Sequence, residues 1–330
     1  MKNVQKIAVV GSGVIGSSWA AFYLFNGFEV SVYDPAVDAE INLYERVKVY
    51  LLDLIALHHQ ENNQTNHQVE AELLNRPNDQ IEKIMANLSF FDQLIDAIKD
   101  VDFIQENGPE RLELKQELYR QMTQHCPSDT IIASSSSGLK ISDIQSQCIH
   151  PERVILGHPF NPPHLLPLVE IVGGSLTSEA CIQDTFDFYS AIGKKPIVIH
   201  KEVKGHVANR LQAAIWREAF SLVSNGVCSA EDVDVAITNG PGLRWSIFGP
   251  YVNMQLANMN GFKAAMHHLG EPMTEWWADM KAFDLTEDGI AQLDEETQKF
   301  LTKLEGQDLR LLRDTALIDI LKMKKSHNLL

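Results

Sequence analysis

The sequence is poor in cysteine, in positive charge and in long apolar runs, and each shortage narrows what it encodes. Only four cysteines occur in 330 residues, Cys126, Cys148, Cys181 and Cys228, with no C-x-x-C pair. That spacing excludes a disulfide-dense secreted scaffold and points to free thiols in a reducing, cytoplasmic setting. No H-E-x-x-H occurs, and the adjacent pairs His58-His59 and His267-His268 would face different sides of a helix, so no metal site is expected. Lys and Arg total 28 against 44 Asp and Glu, a formal net charge of −16. An acidic chain of this kind is ill suited to nucleic acid or an anionic membrane, because the phosphate-neutralising interaction has the wrong sign. Any anionic ligand has to be held by a local device.

One uncharged run, residues 7–25, follows Lys2 and Lys6 and superficially resembles a signal peptide or a membrane span. Gly11, Ser12, Gly13, Gly16, Ser17 and Ser18 interrupt it and divide it into a short strand and a helix. With 45% hydrophobic and 22% charged residues the chain can bury a large core, and its length suits two domains.

Residues 6–10 form a short apolar run, 17–26 a bulky helical segment, and 28–34 alternate before ending on an acid, which reads as one βαβ unit. Helical patterns at 40–57 and 69–86 flank a polar stretch, 58–67, expected as the exposed tip of a helical pair. Parallel-strand signals resume at 101–105, 130–134, 153–157 and 195–199. Beyond His200 strands vanish and amphipathic helices run to the end. The expected fold is α/β: an N-terminal doubly wound, Rossmann-type sheet over 1–199, with the helical pair inserted at about 40–86, then an all-α domain over 200–330.

Gly11, Gly13 and Gly16 match G-x-G-x-x-G in the context that gives the pattern meaning, after a strand, opening a helix, and followed by Asp34 at the end of the second strand. The first glycine permits the tight turn, the second lets the backbone at Gly13, Val14 and Ile15 approach a pyrophosphate, and the third allows close packing of the helix. The helix N-terminus is the local anion-binding device that the acidic chain needs. Asp34 would accept hydrogen bonds from an adenosine ribose and repel a 2′-phosphate, which favours NAD over NADP.

A second constellation follows two later strands. Ser134-Ser135-Ser136-Ser137-Gly138 and Gly157-His158-Pro159-Phe160-Asn161 both project where open α/β sheets bind ligands. Glu170 stands inside the apolar stretch 168–172, where a carboxylate is costly unless paired, and His158 is the nearest candidate. A His–Glu pair suits a general base near neutral pH. A structural histidine beside a merely buried glutamate fits these residues equally well.

Several blocks, in order, carry a resemblance: Gly-Ser-Gly-Val-Ile-Gly at 11–16, Gln-Glu-Asn-Gly-Pro-Glu-Arg at 105–111, Ser-Ser-Ser-Ser-Gly-Leu at 134–139, His-Pro-Phe-Asn-Pro-Pro at 158–163, Pro-Leu-Val-Glu-Ile-Val at 167–172, Gly-His-Val-Ala-Asn-Arg-Leu-Gln at 205–212 and Gly-Leu-Arg-Trp at 242–245. Over nearly its whole length the sequence resembles the L-3-hydroxyacyl-CoA dehydrogenase family, in the branch of lambda-crystallin (L-gulonate 3-dehydrogenase) and L-carnitine dehydrogenase. The resemblance implies that His158 is the catalytic base and Glu170 its partner, that Ser137 and Asn209 hold the reacting oxygen, and that Glu110, Lys115 and Asn161 line the nicotinamide and ribose side of NAD. It also implies a homodimer through the helical domain. In β-hydroxyacid dehydrogenases a G-x-x-x-N-x-x-K signature supplies a catalytic lysine; here that position is Gln212.

In the acyl-CoA enzymes that it resembles, the helical pair after the second strand helps to hold CoA; here residues 36–100 contain five basic and twelve acidic residues, so a free 3-hydroxy acid such as L-gulonate or L-carnitine is favoured over a CoA thioester. Arg244 would clamp the free carboxylate bidentately; a structural ion pair with Glu218 is the alternative. Trp216, Trp245, Tyr251, Trp276 and Trp277 offer either core packing or a cage for trimethylammonium. Two readings of another class are a non-catalytic, crystallin-like protein and a sensor that binds NADH without turnover.

Overall fold

A computed structural model describes residues 4–58, 77–281 and 283–330. Eight strands, β1 Lys6–Val10, β2 Glu29–Tyr33, β3 Leu88–Phe91, β4 Phe103–Glu106, β5 Ile131–Ser134, β6 Val154–Pro159, β7 Leu168–Gly173 and β8 Lys195–Ile199, form one sheet in the order β3-β2-β1-β4-β5-β6-β7-β8. β1 to β6 are parallel. The chain runs outward from β1 through β2 to β3, then returns to place β4 on the other side of β1. That reversal opens a crevice at the carboxyl ends of β1 and β4.

The last two strands depart from expectation. Segment 195–199 reads as another parallel strand, but β7 is antiparallel to β6, and β8, parallel to β7, shares its reversed direction. The cause is the short connection 160–167. A parallel return needs a crossover of a dozen or more residues, whereas an antiparallel return needs only a hairpin loop. The edge strand β3 is not among the expected strands, because Leu88-Ser89-Phe90-Phe91 offers neither a strict alternation nor a continuous apolar run.

Helices α1 Val14–Phe25, α2 Ala39–His58, α3 Pro77–Met85, α4 Leu94–Ile98, α5 Leu112–His125, α6 Ile141–Ile144 and α7 Glu179–Ala191 accompany the sheet. The polar tip expected at 58–67 lies, after His58, outside the described residues. Side chains alternate across the sheet, so that Ile7 and Val9 join Trp19, Tyr23, Leu51 and Phe188 on one face. Ala8 and Val10 join Ile98, Tyr119 and Ile144 on the other. Burying each large aliphatic or aromatic side chain contributes about 1.5–3 kcal/mol, so these two layers hold the sheet and its helices together.

Contacts divide the chain into two compact units, Met1–Val207 with Arg313–Lys322, and Ala208–Leu312 with Met323–Leu330. The first unit thus runs past residue 199, where the His206 ring meets the Ser136 carbonyl and the Val207 N–H meets Glu170. It also recovers part of the C-terminal helix, whose Ile318 and Leu321 pack with Leu165. The second unit is helical: α8 Ala208–Ser224, α9 Ala230–Asn239, α10 Pro241–Trp245, α11 Pro250–Leu256, α12 Phe262–Asp279, α13 Glu287–Leu301 and its share of α14 Leu309–Ser326. Ser229 and Asp232 close a reciprocal capping box at the start of α9. Among the described residues no helix is long and apolar enough to cross a membrane.

One core residue is unusual. Lys194 is buried before β8, its ammonium 3.7 Å from the Phe22 ring centroid and donating to the Pro163 carbonyl and, at 3.3 Å, to the Leu166 carbonyl. It therefore ties down both ends of the loop stretch 163–166. Burial drives its pKa from 10.5 to about 7. Between those values the unfolded chain binds a proton that the folded chain has released, so stability rises with pH across that window. The melting temperature of the wild type relative to Lys194→Met should climb from pH 7 toward pH 10; parallel pH curves would show that Lys194 stays charged in the fold.

Candidate active site

The antiparallel turn of β7 creates the central pair. In the β6–β7 register His158 stands directly opposite Glu170, and cross-strand neighbours on one face lie within side-chain reach. Nδ1 of His158 lies 2.8 Å from Glu170 Oε2, with His158 5% exposed and Glu170 fully buried. An ionised carboxylate only accepts, so Nδ1 carries the proton and Nε2 presents its lone pair. Glu170 Oε1 accepts a second bond from the Val207 N–H at 2.9 Å. A buried carboxylate satisfied at both oxygens is stable where a bare one is not.

The neighbouring strand ends are braced by a second buried acid that the sequence reading did not single out. Glu106, at the end of β4, has no exposure and receives Lys115 Nζ at 2.7 and 2.9 Å, the hydroxyls of Tyr119 and Ser134 at 3.0 Å each, and the Gly108 N–H at 2.6 Å. Lys115 gives its third proton to the Gly108 carbonyl at 3.1 Å. Lys115 is 1% exposed, and these bonds tie its ammonium to Glu106 and the 107–110 turn. Glu110 is the half-exposed member of that turn and accepts from Ser136 Oγ at 2.6 Å, Gly138 N–H at 2.8 Å and Leu139 N–H at 3.2 Å. Burial pushes its carboxyl up, but those bonds and the Lys115 charge outweigh it, and the net shift is downward.

Gln105, one residue earlier, anchors the same edge from below. It accepts from Tyr23 and Tyr189 hydroxyls at 3.0 and 2.6 Å and donates to Ser135 Oγ at 2.9 Å. Ser135 in turn donates to Asn107 Oδ1 at 2.7 Å. A β-carbon at Gly157 would sit 2.4 Å from the Tyr189 oxygen, so the residue before His158 has no room for a side chain. Ser137 is exposed at the tip of this loop, and Asn161 is exposed in the β6–β7 loop. That loop is fixed by His164, whose ring stacks on Tyr50, meets Ser18 Oγ through Nδ1 at 2.8 Å and Asp53 Oδ2 through Nε2 at 3.1 Å.

The dinucleotide end also takes form. Gly11 has φ +92°, and a β-carbon there would come within 2.9 Å of the Asn107 carbonyl, so only glycine fits. Gly13 caps α1 without a side-chain hydrogen bond, the first turn of α1 at Val14 and Ile15 bears no acid, and a β-carbon at Gly13 would meet nothing within 4 Å. The uncapped N–H groups at this helix start suit a pyrophosphate. Gly16 cannot carry a side chain, since its β-carbon would fall 1.8 Å from the Gly11 oxygen. Asp34 follows β2 and accepts from Ser12 N–H at 2.7 Å, Ser12 Oγ at 3.0 Å and Ala36 N–H at 2.9 Å, which sets its carboxylate beside the glycine turn. Donor turn and terminal acid are the set a dinucleotide requires, so these residues fit NAD.

Family models agree with the geometry. Residues 6–203 match the 3-hydroxyacyl-CoA dehydrogenase NAD binding domain, and residues 205–294 match the C-terminal domain of the same family. The chain belongs to the 3-hydroxyacyl-CoA dehydrogenase family. Within that family it is 38% identical to a 3-hydroxyacyl-CoA dehydrogenase of Gibberella moniliformis, covering 98% of this chain and 96% of the relative. It is 39% identical to an L-carnitine dehydrogenase of Streptomyces coelicolor, covering 86% and 83%. A solved structure of an NAD+-dependent dismutase, a pyridine-carboxylic acid 5-dehydrogenase, aligns over 98% of this chain and 99% of its own at 26% identity and a TM-score of 0.78. Like the family, this chain is an NAD-dependent oxidoreductase.

Two expected residues lie in the second unit. Asn209 is partly buried in the first turn of α8, and Arg244 is exposed in α10. Among the described residues Arg244 forms no ion pair, so the structural pairing with Glu218 is not made. Trp216, Trp245, Tyr251, Trp276 and Trp277 are all exposed in the single chain. Among the described residues no group of three or more His, Cys, Asp or Glu is placed to hold a metal ion.

Glu170→Gln keeps an acceptor for Nδ1 but removes the charge that stabilises a protonated His158. It should lower kcat by about 10²-fold while leaving the NADH dissociation constant close to wild type. Unchanged turnover in steady-state assays would mean that the pair is purely structural.

Proposed function

We propose that the protein oxidises the 3-hydroxyl of a small free 3-hydroxy acid, L-carnitine- or L-gulonate-like, to the 3-keto acid. The observation that carries this reading is the buried His158–Glu170 pair at the sheet's ligand-binding edge. His158 Nε2 takes the hydroxyl proton, and Glu170 holds the ring and stabilises the imidazolium that forms. NAD, when bound, supplies the hydride acceptor. Ser137 and Asn209 take the family role of donating to the developing oxyanion. Glu110, Lys115 and Asn161 take the family's cofactor-side positions, Lys115 by shaping the turn that carries Glu110.

Three features support a free acid over a CoA thioester. Relatives named L-carnitine dehydrogenase match across most of the chain. Residues 36–100 are strongly acidic, a poor surface for an anionic nucleotide tail. Arg244, unpaired among the described residues, is available for a carboxylate. The Gibberella relative named as a 3-hydroxyacyl-CoA dehydrogenase favours the second reading, a short acyl-CoA substrate.

NADH formation at 340 nm with L-carnitine, L-gulonate, L-3-hydroxybutyrate and 3-hydroxybutyryl-CoA tests the choice. Turnover of a free acid is expected, and turnover of the thioester alone would reverse the assignment. NADH binding without turnover of any of them would favour a sensor or crystallin-like role. Arg244→Met should raise KM for the free acid by roughly tenfold or more, the weight of a lost charge-assisted hydrogen bond, and leave a thioester's KM nearly unchanged. Equal effects would assign Arg244 to structure.

The second unit carries exposed Leu243, Trp245, Phe248, Tyr251, Trp276 and Trp277, more large apolar surface than a solitary helical unit ordinarily leaves open. This supports a homodimer through that unit, in the cytoplasm, where the four cysteines stay free. Analytical ultracentrifugation should give the mass of two chains; a monomer at micromolar concentration would refute the dimer.

A further inference from the structure

A second imidazole is packed beside the base. His206 is 4% exposed, and its ring centroid lies 5.1 Å from that of His158, with 48° between the planes. Its Nε2 lies 3.2 Å from the Ser136 carbonyl oxygen. A carbonyl only accepts, so Nε2 carries the proton and Nδ1 the lone pair. Nδ1 is buried and has no partner. The backbone is strained at the same point, with φ +51° at His206 directly after φ +75° at Gly205. A buried acceptor without a donor and a left-handed non-glycine residue are each destabilising. Both persist at one residue that contacts the base, which is where a fold keeps strain for function.

The connections of this residue are specific. Through Nε2–H it holds the peptide carbonyl immediately before Ser137. The next peptide N–H, from Val207, holds the Glu170 carboxylate. Residues 206–207 therefore join the serine turn to the His158–Glu170 pair.

We propose that His206 is a positioning residue of the active site, which as the neutral Nε2–H tautomer fixes the Ser136–Ser137 turn against His158. Charged and titratable groups around it are His158 from β6, Glu170 from β7 and Glu110 from the turn after β4. Burial and the neighbouring His158 lower its proton affinity more than the Ser136 carbonyl, Glu170 and Glu110 raise it, so His206 stays neutral. Of two imidazoles this close, the one hydrogen-bonded to a carboxylate is the one that takes the substrate proton. This role rests on the proposed hydroxyl oxidation but not on which hydroxy compound is oxidised.

Three variants of the full chain separate the parts of the ring. His206→Gln retains a donor that reaches the Ser136 carbonyl, His206→Asn retains an acceptor near the Nδ1 position but cannot reach Ser136, and His206→Phe retains only the ring shape. With whichever panel compound the wild type oxidises, kcat of the Gln variant should stay within about threefold of wild type, while the Asn and Phe variants fall about tenfold, as for one lost hydrogen bond. KM for NAD and the melting temperature should change little. Wild-type kcat in the Phe variant, or a Gln variant as impaired as the Phe variant, would overturn the proposal. ¹⁵N spectra of the histidine-labelled NADH complex give a readout that needs no substrate, the His206 signals being those lost in the Gln variant. Protonated Nε2 with bare Nδ1 at pH 7 is expected, and the opposite tautomer or an imidazolium would refute the assignment even if every panel compound proved inert.

Discussion

The geometry of the candidate active site depends on the hydrogen bond between His158 and Glu170, and that bond depends on the direction of one strand. Had β7 been parallel to β6, a crossover would have separated the two residues and no register would have set them opposite each other. The short 160–167 connection enforces the hairpin, the hairpin enforces the register, and the register delivers a buried carboxylate to Nδ1. The imidazole is thereby left with one defined lone pair, which is the chemical requirement for removing a hydroxyl proton.

The same logic recurs along the carboxyl edge of the sheet. Acids stand at strand positions where burial penalises them, and each is compensated by several donors: Glu170 by His158 and Val207, Glu106 by Lys115, Tyr119, Ser134 and Gly108. Truncating one member of such a network leaves the others uncompensated, so these acids fix the geometry of their loops as much as they stabilise the fold. Glu106 shapes the turn that carries Glu110; Glu170 aligns the base and gathers residues 206–207 to it. Lys194 is the counterexample: among the described residues it is buried with no carboxylate beside it, and burial alone depresses its pKa.

Much of this was legible in the residues themselves. The glycine turn, its helix and Asp34 follow a local pattern with a direct physical meaning, and the structure realises it within one βαβ unit. Glu170 was conspicuous because a charge interrupts an apolar strand. Glu106 interrupts a strand in the same way, yet it sits at the strand's last residue, where a polar side chain is unremarked. His206 had no local signal at all: its neighbours in space, Ser136 and His158, are far away in sequence.

Local order thus came from the amino-acid sequence alone: a dinucleotide turn, alternating strands and amphipathic helices. These follow from steric and hydrophobic patterns that act over a few residues. Strand direction at β7 and β8, the inward turn of Lys115 onto Glu106, and the seating of His206 beside His158 were decided only in three dimensions. Each of them balances the burial of a charged or polar group against partners brought together by the sheet, and that balance has no counterpart in the linear chain.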